Sequence, residues 1–188
     1  MAILSAHAAR VLAAILLACA LGPPLDAEAG DDRTEYQVKA AFLYNFAKFV
    51  EWPPETFKDD AAPIHICVLG SSPVLWMLAD TVRNKSIDGR ALTVREFADV
   101  SMAVSCQILF VGASERKNLR SILQATKSSD VLTVGETENF AADGGVVGFT
   151  LDQGRIRFDI NLQAAQLQRL KISSKLLSLA TTVKRAAK

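Results

Sequence analysis

Residues 64–82, IHICVLGSSPVLWMLADTV, decide the fold class of this chain. Residues 64–69 form a short apolar run entered after Pro63, which reads as a buried strand. Gly70-Ser71-Ser72-Pro73 ends that run, and the spacing of Leu75, Leu78 and Val82 predicts a helix. Strand, glycine, serine cap and helix in that order are the entry of an α/β unit. The pattern recurs downstream. Residues 91–97 alternate as a strand after Gly89-Arg90. Residues 108–111 are continuously apolar, as expected of a strand covered on both faces. A helix is predicted over 115–127 with Leu119, Ile122 and Leu123 inward, and residues 131–135 supply the next buried strand.

Beyond a turn at 140–145 the period changes. Residues 146–151 and 155–160 flank Asp152-Gln153-Gly154, a tight hairpin. Ile156, Phe158 and Ile160 alternate there with Arg155, Arg157 and Asp159, so one face is apolar and one charged. Asn161 is placed to cap a helix carrying Leu162, Ala165 and Leu170. Ser173 or Ser174 is placed to cap a last helix with Leu176, Leu177, Ala180 and Val183. The expected fold is α/β, with three or four buried strands, crossover helices and an antiparallel hairpin at one edge.

Upstream lies TEYQVKAAFLYNFAKFVEWPP, residues 34–54. Thr34 and Gln37 have capping-box spacing, and Pro53-Pro54 forbids continuation past Trp52. Val38, Phe42, Phe46 and Phe49 recur at helical intervals and line one face, either packed on the sheet or shared with a partner.

The first residues read as an address. A weakly basic start with His7 and Arg10 precedes an apolar run over 11–21, and Ala27-Glu28-Ala29 has the small-x-small pattern of a signal peptidase site. Cleavage after Ala29 leaves a single domain over 30–188. Leu16-Leu17-Ala18-Cys19 is an approximate lipobox, the alternative route to a lipoprotein. With 21 Lys and Arg against 20 Asp and Glu, the chain lacks the basic stripe of a nucleic-acid binder. Cys67 and Cys106 are the cysteines beyond the leader. In an oxidising compartment such a pair tends to close, and buried free thiols are the other reading.

Motifs for chemistry are sparse. There is no Gly-x-Ser-x-Gly elbow, dinucleotide fingerprint, P-loop or Cys-x-x-Cys. His65 is the only histidine past the leader, and on a strand face it reads as a hydrogen-bonded structural group. No cofactor is implied. The segments 69–72, 110–114 and 133–136 fall at the carboxyl ends of the expected parallel strands, where open α/β sheets place ligands. Ser71 and Ser114 are the candidate ligand-binding residues there, or ordinary helix caps.

Six blocks carry a resemblance to a known family: Tyr36-x-x-Lys39-Ala40-x-Phe42-Leu43-Tyr44-Asn45-Phe46-x-Lys48-Phe49-x-x-Trp52-Pro53, Ile66-Cys67-Val68-Leu69-Gly70, Cys106-Gln107-Ile108-Leu109-Phe110-Val111, Val131-Leu132-Thr133-Val134-Gly135-Glu136, Arg157-Phe158-x-Ile160-Asn161, and Leu170-x-Ile172-Ser173-Ser174-Lys175-Leu176-Leu177-x-Leu179-Ala180. In that order they resemble the YfiR family of exported bacterial proteins. The resemblance implies a Rossmann-like α/β sandwich with a mostly parallel sheet and helices on both faces. It implies a periplasmic, non-enzymatic repressor that binds the sensor domain of a membrane-bound diguanylate cyclase and lowers cyclic di-GMP and biofilm formation. An outer-membrane lipoprotein that sequesters the repressor, a homodimer, and pairing of Cys67 with Cys106 are implied with it. The chain departs from the family in lacking a second cysteine pair around 141–148, and Gln168-Arg169 replaces small residues. The expected partner surface is the apolar side of the hairpin and the following helix, Ile156, Phe158, Ile160, Leu167, Leu170 and Ile172, unless those residues pack on the core. The alternative function is a periplasmic small-molecule-binding module that tunes a sensor kinase or an outer-membrane partner.

Overall fold

The computed structural model describes residues 28–185. Cys19 and most of the leader expected over 1–29 lie outside the described residues. From Asp32 onward the chain forms one unit. Helix α1, Glu28–Phe49, leads into the two-residue strand β1, Val50–Glu51. Then come β2 (Ile64–Leu69), α2 (Val74–Val82), β3 (Ser86–Ile87), β4 (Arg90–Phe97), β5 (Ile108–Val111), α3 (Leu119–Ala125) and β6 (Leu132–Gly135). The carboxyl-terminal third holds β7 (Val147–Asp152), β8 (Arg155–Asn161), α4 (Leu162–Leu167), β9 (Lys171–Ile172), α5 (Ser174–Leu177) and β10 (Thr182–Lys184).

The main sheet runs β10-β8-β7-β6-β5-β2-β4-β3. Strands β4, β2, β5, β6 and β7 are mutually parallel, and β8 and β3 run against their neighbours β7 and β4. Because strand side chains alternate, the parallel strands feed two cores. Ile66, Val68, Ile108 and Phe110 join α1 and α2 on one face, whereas Cys67, Leu69, Leu109 and Val111 join α3 on the other. The fold is therefore of the α/β class that the strand–helix alternation predicts, and it is the mostly parallel sandwich that the family resemblance implies.

Several local readings hold. The two-residue turn Gln153-Gly154 has both residues at positive φ, 49° and 72°, between paired Asp152 and Arg155. That is the backbone of a type I′ hairpin, whose twist matches its strands. Asn161 caps α4 by accepting from the Ala164 amide at 3.0 Å, and Ser173 caps α5 by accepting from Leu176 at 3.2 Å.

Other readings give way to packing. Helix α1 already includes the residues from Glu28 to Arg33, so Thr34 sits inside it and not at its N-cap. Its buried stripe is Lys39, Ala40, Leu43, Phe46 and Ala47, turned about one position from the expected face, and Val38 is 37% exposed. Phe42 and Phe46 still meet Phe149 and Phe158, with ring centroids 5.2–6.0 Å apart. Each such aromatic pair adds about 0.5–1.5 kcal/mol beyond its buried area. The helix yields at Phe49 because Val50 pairs with Ile172, while the Ser173 amide donates to the Phe49 carbonyl.

The last helix is also shorter than expected. After α5 the chain becomes β10, and Val183 pairs with Ile160 of β8. An open β8 edge would leave a row of unpaired backbone groups, and the β-branched Thr181-Thr182-Val183 is suited to cover it. The hairpin is thus one strand in from the edge. Finally, the residues after β6 form more than a turn. Phe140 is 1% exposed and lies against two glycines. A Cβ on Gly135 would fall 2.2 Å from that ring, and one on Gly145 2.1 Å.

Candidate functional site

The carboxyl ends of β2, β5 and β6 converge as expected, and the side chains there are engaged with one another. The Ser71 amide donates to Ser114 Oγ at 3.1 Å, and the Ala113 amide donates to Glu136 Oε1 at 2.9 Å. Glu136 Oε2 is 2.6 Å from Lys39 Nζ, whose other carboxylate partner is Glu35 at 2.5 Å. Lys39 and Glu136 side chains are each only 5% exposed, and the Tyr36 ring lies 4.4 Å from the ammonium. Burial opposes the charge on Lys39, but hydrogen bonds to Glu136 and Glu35 outweigh it and hold its pKa above the ordinary value. Burial, reinforced by the Glu136 charge, pushes the Tyr36 phenol up. Ser71 and Ser114 are therefore brought together, as proposed from the sequence. The amides that an anionic ligand would take there are already given to Ser114 and to Glu136, the protein's own anion.

On β7 and β8 the apolar faces form a ladder of three cross-strand pairs, Val147–Ile160, Phe149–Phe158 and Leu151–Ile156. Helix α1 covers the middle of that ladder, and Phe158 and Ile160 are 1% and 0% exposed. Leu170, at 4%, is likewise in the core. These three of the six expected partner residues are core-packing, the other reading open to them: α1 occupies the face of Phe158 and Ile160, and Leu170 is buried in the same core. Ile156 and Ile172 are half-buried and Leu167 is 50% exposed, so they keep surface to offer. Leu151, 64% exposed and opposite Ile156, is the residue that sequence reading passed over. Its signal was present, since Val147, Phe149 and Leu151 alternate as Ile156, Phe158 and Ile160 do. Arg155 and Arg157 flank this uncovered end of the ladder, both exposed.

Cys67 and Cys106 are joined in a disulfide, with Cα atoms 6.0 Å apart, inside the α3-side core. His65 Nδ1 lies 2.5 Å from Thr93 Oγ1, and burial, with Arg95 nearby, lowers its pKa. It is the hydrogen-bonded structural histidine that its strand position suggests. Among the described residues no group of three or more His, Cys, Asp or Glu is placed to hold a metal ion, and no helix is long and apolar enough to cross a membrane.

Over residues 36–181 the sequence matches the YfiR/HmsC-like family, and the chain belongs to that family. No curated protein matches it. Solved structures share its fold at low identity. A conserved domain protein from Vibrio cholerae O1 biovar El Tor is 12% identical with a TM-score of 0.56. The ABC domain from Streptococcus pneumoniae in complex with L-Trp is 12% identical with a TM-score of 0.51. Each match covers 79% of this chain and 60% of the other, so this chain spans less than two thirds of either structure's length.

Proposed function

With membership of the YfiR/HmsC-like family as the premise, we propose that this protein is a periplasmic regulator that binds the sensor domain of a membrane-bound diguanylate cyclase and represses it. The observation that carries the reading is the family match over residues 36–181, which spans every strand of the sheet except the last. Binding alone is enough for such a role, provided the regulator prefers one state of the sensor. Export by the leader, a single domain over 30–188, a homodimer and sequestration by an outer-membrane lipoprotein belong to the same proposal.

The contact surface we propose is the uncovered end of the hairpin ladder. Leu151 and Ile156 supply a small apolar anchor on one face of the hairpin tip, and Arg155 and Arg157 supply positive charge on its other face. The test is in-cell crosslinking of the full tagged chain in its source bacterium, followed by identification of the membrane partner. A membrane protein with a periplasmic sensor and a cyclase output is the expected product, lost in Leu151→Glu with Arg157→Glu. Capture of only a kinase or an outer-membrane protein, or capture of the cyclase undiminished by both substitutions, overturns respectively the target or the surface.

A further inference from the structure

Between α3, α4 and the 142–144 turn opens a cleft of about 630 Å³. Arg116, Lys117, Arg120, Lys127 and Lys184 border it against a single carboxylate, Asp143. The whole chain carries a net charge of only +1, so this is a strong local excess. Among the described residues no carboxylate pairs with any of these cations. Lys184 donates to the Ala142 carbonyl at 3.3 Å, and among the described residues the other four make no side-chain hydrogen bond. Unpaired like charges around a concave surface repel one another and focus a positive potential into it. The adjoining cleft of about 430 Å³ is unlike it, for Glu136, Glu138 and Asp159 there face only Arg116.

A second observation is independent of charge. Gln168 borders the basic cleft, is 3% exposed, and its Oε1 is buried with no hydrogen-bond partner. The chain has turned there, since Arg169 adopts φ 51° and directs its guanidinium to Asp130 and Glu55. A buried acceptor is stable only when something donates to it. Hydrogen phosphate keeps a P–OH donor at neutral pH but only beside its own charge, whereas a sugar acid offers several hydroxyls apart from its anion. Leu119, Leu123 and the half-exposed Leu167 add an apolar wall. No aromatic side chain lines the cleft, so it offers no platform for stacking bases.

We infer that this cleft binds an anionic sugar, a saccharide that places a phosphate or carboxylate among Arg116, Lys117 and Arg120 and a hydroxyl on Gln168. Arg116 and Arg120 are four residues apart and can each grip two oxygens of one anion. The volume lies within the ordinary range of small-ligand sites. The cleft is at the Asn161 end of β8, about 20 Å along the strand from the hairpin turn. Neither Leu151 nor Ile156 lines this cleft, although Arg116 is shared with the adjoining cleft that Leu151 borders.

Isothermal titration of the full chain, with its disulfide intact, tests this against glucose 6-phosphate, glucuronate, inorganic phosphate and glucose. At least one sugar acid is expected to bind, more weakly as salt rises. Inorganic phosphate is expected to bind about tenfold more weakly, and glucose not at all. Preference for glucose 6-phosphate or for glucuronate assigns the anion as phosphate or carboxylate. Arg116→Glu with Arg120→Glu, both at exposed positions, is expected to abolish binding without changing the melting temperature. Gln168→Leu is expected to close the gap between sugar acid and phosphate. No binding by either acid, or undiminished binding by the arginine variant, overturns the site. Inorganic phosphate binding as tightly as the sugar acids overturns the sugar.

Discussion

Replacing Lys39 with methionine isolates the most consequential electrostatic contact in the protein. Methionine keeps most of the apolar stem and removes the ammonium, which leaves Glu136 buried with one donor, the Ala113 amide. Breaking one partner of a buried ion pair typically costs about 3–5 kcal/mol, because a charge remains in a low-dielectric site. Glu35, 28% exposed, can rehydrate and adds little to that loss. The ring contact with Tyr36 contributes a further fraction. With a urea m-value of about 2 kcal/mol/M, the unfolding midpoint should fall by about 1.5–2.5 M. Adding Glu136→Gln should recover most of this, since a glutamine oxygen still accepts from Ala113 without carrying charge. The double-mutant cycle should then show a coupling of at least about 2 kcal/mol. A Lys39→Met loss below about 1 kcal/mol, or a double variant no more stable than the single, would refute the argument that the pair is buried and mutually dependent.

The hairpin ladder predicts opposite outcomes at its two ends: Phe158→Ala should lose about 3–5 kcal/mol, whereas Leu151→Glu should stay within about 0.5 kcal/mol in the same urea titration. Gly135→Ala should be destabilised by about 1–3 kcal/mol, since its Cβ meets the buried Phe140 ring; an unchanged melting temperature would show that the ring has room to retreat. The disulfide closes a separation of 39 residues, so Cys67→Ser with Cys106→Ser should lose up to about 4 kcal/mol, and reductant should shift the wild type but not the variant. Tyr36 and Lys39 hold their protons more tightly when folded, so stability should fall as pH rises above their ordinary values of 10.0 and 10.5. His65 holds its proton less tightly when folded, so stability should also decline as pH drops below 6.5. Urea midpoints measured across that range would be flat if neither holds.

How much of this was legible in the sequence depends on the range of the interaction concerned. Strands β2, β5 and β6, the Gln153-Gly154 turn and the Asn161 and Ser173 caps were readable because each is set within a few residues. Apolar runs, positive-φ positions and side-chain-to-amide bonds leave marks at fixed spacing. The same alternation named Phe158 and Ile160 as one face of β8. It did not reveal that α1, more than a hundred residues earlier, covers that face and leaves Leu151 and Ile156 outside.

Lys39 illustrates the limit most clearly. Its spacing from Glu35, four residues away, is visible in the sequence, but its burial beside Glu136, 97 residues on, is not. The conversion of the last predicted helix into β10 likewise depended on an open β8 edge. The basic cleft exists only because α3, α4 and the end of β10 meet. By itself the sequence determined the α/β class, the family, the parallel strands, the turns and the caps, all of them local patterns or ordered blocks. Tertiary structure alone decided which apolar face is covered and which charges are buried or crowded together, because those outcomes require chain segments distant in sequence to compete for the same surface.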